Sequence, residues 1–94
     1  TEKLERIRSK YTDEDEVGRI QIDDRLSALT MIWSVKEAVF KCYGTQLPFK
    51  DIRIVDHDTI RDEIKVEGQR LGAAFRHILA AELLDDVAVA YVVE

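Results

Sequence analysis

The sequence predicts an α+β domain, with one long helix packed on a small antiparallel sheet of three to four strands. Three observations carry this. Apolar side chains recur at helical spacing between Asp23 and Gly44. After Pro48 the period switches from 3.6 to 2. The last stretch, VAVAYVV, is almost wholly apolar and β-branched or small, as in a buried strand.

The elements follow in order. Residues 2 to 11, EKLERIRSKY, read as a short helix with Leu4, Ile7 and Tyr11 on one side. Thr12 is the expected N-cap of a second short helix, with Asp15 reaching back to it and Gly18 interrupting it. Residues 18 to 24 are loop or irregular structure. Asp23 or Asp24 caps the long helix and Gly44 ends it. Leu26, Leu29, Ile32, Trp33, Val35, Val39, Phe40 and Tyr43 make its wide apolar face. TQLPF is a loop in which Pro48 blocks further helix. DIRIVDHD and DEIKVEGQ alternate apolar and polar residues, as strands with one wet face do. FRHILAAELLDDVAVAYVVE reads as a hairpin turning near Leu84-Asp85-Asp86, its last strand central and well buried. Helix is the alternative for residues 70 to 84, which are rich in alanine and leucine.

The chain has 94 residues, which suits a single domain with a small core. It is 46% hydrophobic and 35% charged, outside the range of disordered chains. No apolar run reaches the roughly 20 residues of a membrane helix, and no basic start precedes an apolar stretch as in a signal peptide. The single cysteine, Cys42, excludes an internal disulfide framework and fits a reducing, cytoplasmic setting. A net charge of −5 with interspersed cations disfavours nucleic acid as a partner. An acidic chain that takes an acidic ligand needs a local cluster of cations or a metal ion. The opening on Thr1, already amphipathic, points to a fragment or a processed product.

Within WSVKEAVFKCYG, the residues Thr30, Ser34, Glu37, Lys41 and Gly44 fall on one stripe of the long helix. Glu37 then emerges at the border of the packed face, where a carboxylate can ligate a hard cation or accept a proton. Lys41 is one turn on and within reach of a phosphate oxygen. Lys36 lies on a neighbouring flank, its stem covering apolar surface and its ammonium reaching outward. The plain alternative is an ordinary i,i+4 ion pair of Glu37 with Lys41, worth about 0.2–0.5 kcal/mol. Spacing alone favours that plain reading.

Other candidates carry less. Asp56-His57-Asp58 reads as turn chemistry at a strand end, and His77 as an ordinary strand residue. Cys42 reads as a partly buried small apolar residue. The acids at 13 to 16 read as a solvated helix start, without the glycine and distal glutamate of a calcium loop. Gly68 and Gly72 lack the strand–glycine–helix order of a phosphate loop.

The same stretch resembles the signature of the 4'-phosphopantetheinyl transferases, in particular the larger, surfactin-synthetase-activating type. That pattern is Trp or Phe, a small residue, any residue, Lys-Glu-Ala, two residues and Lys. Trp33, Ser34, Lys36, Glu37, Ala38 and Lys41 match it, and Tyr43-Gly44 follows in a familiar way. RIRSKYTDEDE resembles the family's helix-and-turn segment, and the later strands resemble its C-terminal half. The short, trimeric holo-carrier-protein synthase type is the second possibility within the family.

The resemblance implies Mg²⁺-dependent transfer of the phosphopantetheine arm of coenzyme A to a serine of an acyl or peptidyl carrier protein, as in fatty acid biosynthesis. Adenosine 3',5'-bisphosphate is the by-product. By the same resemblance, Glu37 is catalytic and the metal ligand, Lys41 is catalytic and contacts coenzyme A phosphate, and Lys36 is a second cofactor-binding lysine. The family's upstream Asp-x-Glu pair has no match. Asp13/Asp15 and Glu14/Glu16 lie in a capped turn rather than after a strand, and Asp23-Asp24 are adjacent. The expectation is therefore that residues 1 to 94 form a C-terminal lobe whose N-terminal lobe is absent, leaving an apolar surface for that lobe or for self-association. The competing expectation is a noncatalytic α+β interaction module.

Overall fold

The computed structural model describes residues 2–43, 48–70, 72–84 and 87–94. The helix expected over residues 2 to 11 divides into α1 (Glu2–Arg6) and a 3-10 turn at Arg8–Lys10. The tighter turn brings Tyr11 back toward α1, where its buried phenol donates to the Leu4 carbonyl at 3.0 Å. Helix α2 (Glu14–Arg19) starts one residue later than the sequence suggests. Its N-cap is Asp13, which accepts from the Glu16 backbone N–H at 3.0 Å. Thr12 does not cap because its hydroxyl donates to the Glu16 carboxylate. Gly18 sits inside α2 rather than ending it.

Helix α3 (Arg25–Tyr43) is the long element. Asp24, of the two aspartates, caps it. Its carboxylate accepts from the Ser27 N–H at 3.0 Å and the Ser27 hydroxyl at 2.7 Å. Gly44, the expected end of the helix, lies outside the described residues. Ala28, Leu29, Met31, Ile32, Val35 and Val39 are buried on α3. Trp33 stands edge-on to Tyr11, with ring centroids 5.2 Å apart. Its other side meets Phe49 at 4.9 Å. Phe49 opens a 3-10 turn, Phe49–Asp51, directly after Pro48.

Four antiparallel strands follow, paired in chain order: β1 (Ile52–Asp58), β2 (Glu63–Arg70), β3 (Ala73–Leu84) and β4 (Val87–Val92). Residues 73–84 are strand, not the alternative helix; pairing of 73–80 with β2 and of 79–84 with β4 decides the matter. The hairpin falls where expected, although Asp85 and Asp86 lie outside the described residues. Ile52, Ile54, Ile64, Val66, Leu79 and Ala81 form the inner face and merge with the buried side of α3 in one core. The β1–β2 turn uses Asp58, whose carboxylate accepts from the N–H groups of Ile60 and Arg61. Gly68 is required by close approach: a Cβ there would lie 2.4 Å from the Asp51 carbonyl oxygen.

One expectation is corrected. VAVAYVV was expected to be a central strand, but β4 is an edge. A meander pairs its last strand on one side only. The alternation then splits the apolar residues of β4. Ala88, Ala90 and Val92 are half-buried against the core, whereas Val89 and Tyr91 are 43% and 60% exposed.

Candidate functional site

Helix α3 lies along β4, and Ser34 ties the two: its hydroxyl donates to the Ala88 carbonyl at 3.3 Å. Between the helix and the strand lies an open groove of about 430 Å³, lined at this contact by Ser34 and Ala88. Glu37 and Lys41 form its helical wall, with Ala38 and Cys42; Ala88 to Val92 form the opposite wall. Glu37 is half-buried and Lys41 exposed. Neither has an ion-pair partner among the described residues, so the plain i,i+4 pairing is not made. A carboxylate and an ammonium one turn apart thus face the same groove, both available to a ligand. Thr30, the first residue of the stripe, bonds back to the Leu26 carbonyl at 2.8 Å and takes no part.

Lys36 is not where the sequence suggests. Instead of reaching out, its ammonium is fully buried. It donates to the Glu16 carboxylate at 2.7 Å and to the Tyr11 carbonyl. Burial lowers the Lys36 pKa, against the opposing pull of Glu16. The physical reason is position. Lys36 is four residues after Ile32 and three before Val39, so it shares their inward stripe. The expectation of a solvated helix start at 13 to 16 holds for Glu14 and Asp15, which are exposed, and is corrected at Glu16, which is 0% exposed. The Glu16 carboxylate also accepts from the Thr12 hydroxyl at 2.8 Å and the Ile54 N–H at 2.6 Å. Arg53 lies 3.6 Å from Glu16 Oε1, the oxygen that Thr12 and Lys36 bond, while pairing with Asp13 at 2.8 Å. That hydrogen bond from Arg53 holds the Asp13 carboxyl below the usual range.

The remaining candidates do not enter the groove. His57 is buried, accepting from the Gln21 N–H at 2.9 Å. His77 bonds the Tyr43 hydroxyl with one ring nitrogen and the Glu94 carbonyl with the other. Cys42 is exposed, not partly buried, and bonds back to the Ala38 carbonyl at 3.5 Å. Among the described residues no three His, Cys, Asp or Glu side chains gather as a metal site, and no helix is long and apolar enough to cross a membrane. A larger hollow on the outer sheet face holds Arg19, Arg53 and Arg76. Each of these is engaged within the protein, by the Ile54 carbonyl, Asp13 and Glu67 respectively.

The family model described as the 4'-phosphopantetheinyl transferase superfamily matches residues 1–92. The chain belongs to that superfamily. No curated protein and no solved structure matches it. For a phosphopantetheinyl transferase, the α3–β4 groove is notable because it brings Glu37 and Lys41 of the signature stretch together, while the third signature residue, Lys36, faces the interior. The α+β architecture, with α3 on a four-stranded antiparallel sheet, agrees with the transferase fold expected from the sequence.

Proposed function

We propose that this protein transfers 4'-phosphopantetheine from coenzyme A to a serine hydroxyl of an acyl or peptidyl carrier protein, with Mg²⁺. The observation that carries the reading is the pair of side chains Glu37 and Lys41 on one wall of the groove, neither with an ion-pair partner among the described residues. Coenzyme A is a polyanion, and an overall acidic chain needs such a local device to receive it.

The donor set fits Mg²⁺. This ion is commonly bound by one or two carboxylates together with substrate phosphates, keeping waters for its other positions. A half-buried, unpartnered Glu37 supplies one hard oxygen ligand of that kind. When bound, the ion supplies charge neutralisation at the pyrophosphate. Lys41 meets a phosphate oxygen and steadies the diphosphate for in-line attack. The serine oxygen forms a bond to the β-phosphorus of coenzyme A. The bond from that phosphorus to adenosine 3',5'-bisphosphate breaks, and the serine proton is lost. In this reading Glu37 helps to take that proton. Lys36 is assigned no ligand contact, since its ammonium is enclosed.

The test is carrier-protein modification by the natural full-length protein with coenzyme A and Mg²⁺, read by mass spectrometry. A gain of one phosphopantetheine that requires Mg²⁺ supports the reading. Absence of both transfer and Mg²⁺-dependent coenzyme A binding overturns it in favour of a noncatalytic interaction module.

A further inference from the structure

We propose that Glu16 is a positioning residue for this reaction: through Lys36 it sets the rotation of α3 that aims Glu37 into the groove. The proposal rests on the transferase reading above.

Glu16 joins three segments that are distant in sequence. One carboxylate oxygen accepts from Thr12, in the turn before α2, and from Lys36 on α3. The other accepts from the backbone of Ile54 on β1. Lys36 adds a bond to the Tyr11 carbonyl, so the ammonium is held at two points, one on the segment before α2 and one within α2. Glu16 and Lys36 are both completely enclosed.

Two features make this a device for geometry rather than for stability. First, a buried ion pair loses so much solvation that a well-packed apolar pair of similar volume is commonly as stable or more so. In some proteins what such a pair supplies is register, and that is the role proposed for it here. Aliphatic side chains on α3 tolerate a small slide or roll. A charge-assisted hydrogen bond at 2.7 Å does not. Second, Lys36 is the residue immediately before Glu37. Successive residues of an α-helix are about 100° apart around the axis, so fixing Lys36 on Glu16 fixes where Glu37 emerges. On the opposite flank α3 packs on the half-buried Ala88, Ala90 and Val92 of β4, and the Ser34 hydrogen bond there is longer, at 3.3 Å.

The experiment replaces both partners by apolar residues of similar size, Glu16→Leu with Lys36→Met, in the natural full-length protein. Two readouts are taken: the Mg²⁺ concentration giving half-maximal transfer, and the spin-label distance between Cys42 on α3 and a cysteine placed at Val89 on β4. Expected are a folded protein, a broadened distance distribution and at least a tenfold rise in the half-saturating Mg²⁺ concentration, with an unchanged KM for the carrier protein. Restoring the pair as Glu16→Asp with Lys36→Arg should recover part of the loss. A folded double variant with wild-type Mg²⁺ dependence overturns the positioning role, whatever its distance distribution. Should that variant not fold, Glu16→Gln with Lys36→Met replaces it in the same comparison. A wild-type protein that transfers nothing, yet shows the sharp distance lost in the variant, places the failure in the transferase reading instead.

Discussion

Lys36 and Glu37 are neighbours in the chain and face different surroundings. The ammonium of the first is enclosed on Glu16, and the carboxylate of the second stands unpartnered on the groove wall. One helical step separates the side chain that holds α3 in place from the one available to a ligand.

Glu37→Ala should reduce transfer by about 10²-fold or more, the scale seen when a preorganised charge-stabilising group is removed. Because Glu37 is not part of the core cluster, the thermal midpoint should move little. Transfer assays beside a melting curve check both. Chelation of Mg²⁺ should abolish transfer by the unmodified protein, and added Mg²⁺ should restore it.

Lys41→Met keeps the stem and removes the charge. A charge-assisted hydrogen bond is worth about 1.5–3 kcal/mol, so the KM for coenzyme A should rise about tenfold or more. The KM for the carrier protein should hold. Steady-state kinetics with each substrate varied in turn decides it.

Lys36→Ala alone should destabilise the fold by about 3–5 kcal/mol, because it leaves the Glu16 carboxylate buried without its counter-ion. The cost should fall sharply when Glu16 is removed in the same protein. Urea unfolding of the single and double variants measures the coupling.

The Tyr11 phenol is pushed up from 10.0 to about 12, by burial first and by nearby Glu5 second. Its folded value is the higher one, so the associated stability is fully present below pH 10 and is lost as pH rises through about 12. Stability measured across that window should fall with increasing pH. Tyr11→Phe should flatten the fall, at a cost of about 1 kcal/mol at neutral pH for the lost bond to Leu4.

Gly68→Ala places a methyl group against the Asp51 carbonyl and the Phe75 ring, at 2.4 and 2.6 Å. One contact is backbone and cannot swing aside, so a loss of about 1–3 kcal/mol is expected on chemical unfolding.

The α3 core face and the strand stretches were legible because periodicity depends on burial of one face, and these elements have one. The edge position of β4 was not, since a strand flanked by the core on one face can be as apolar as one buried on two. Ala88 and Ala90 serve the core, whereas Val89 and Tyr91 are exposed on the same strand. The groove side of the site was written in the spacing of Ser34, Glu37 and Lys41. The Glu16–Lys36 pair was hidden by composition: Glu16 belongs to a run of acids, and lysine is the residue least expected inside. The available signal was the spacing of Lys36 from Ile32 and Val39, which demanded an interior partner of opposite charge.

Trp33 is the only tryptophan in the chain, and it is wedged between Tyr11 and Phe49 where three segments meet. The protein therefore carries a built-in optical reporter. Its ultraviolet emission monitors the seating of α3 without any attached dye, so a fluorimeter trace can follow refolding of this junction.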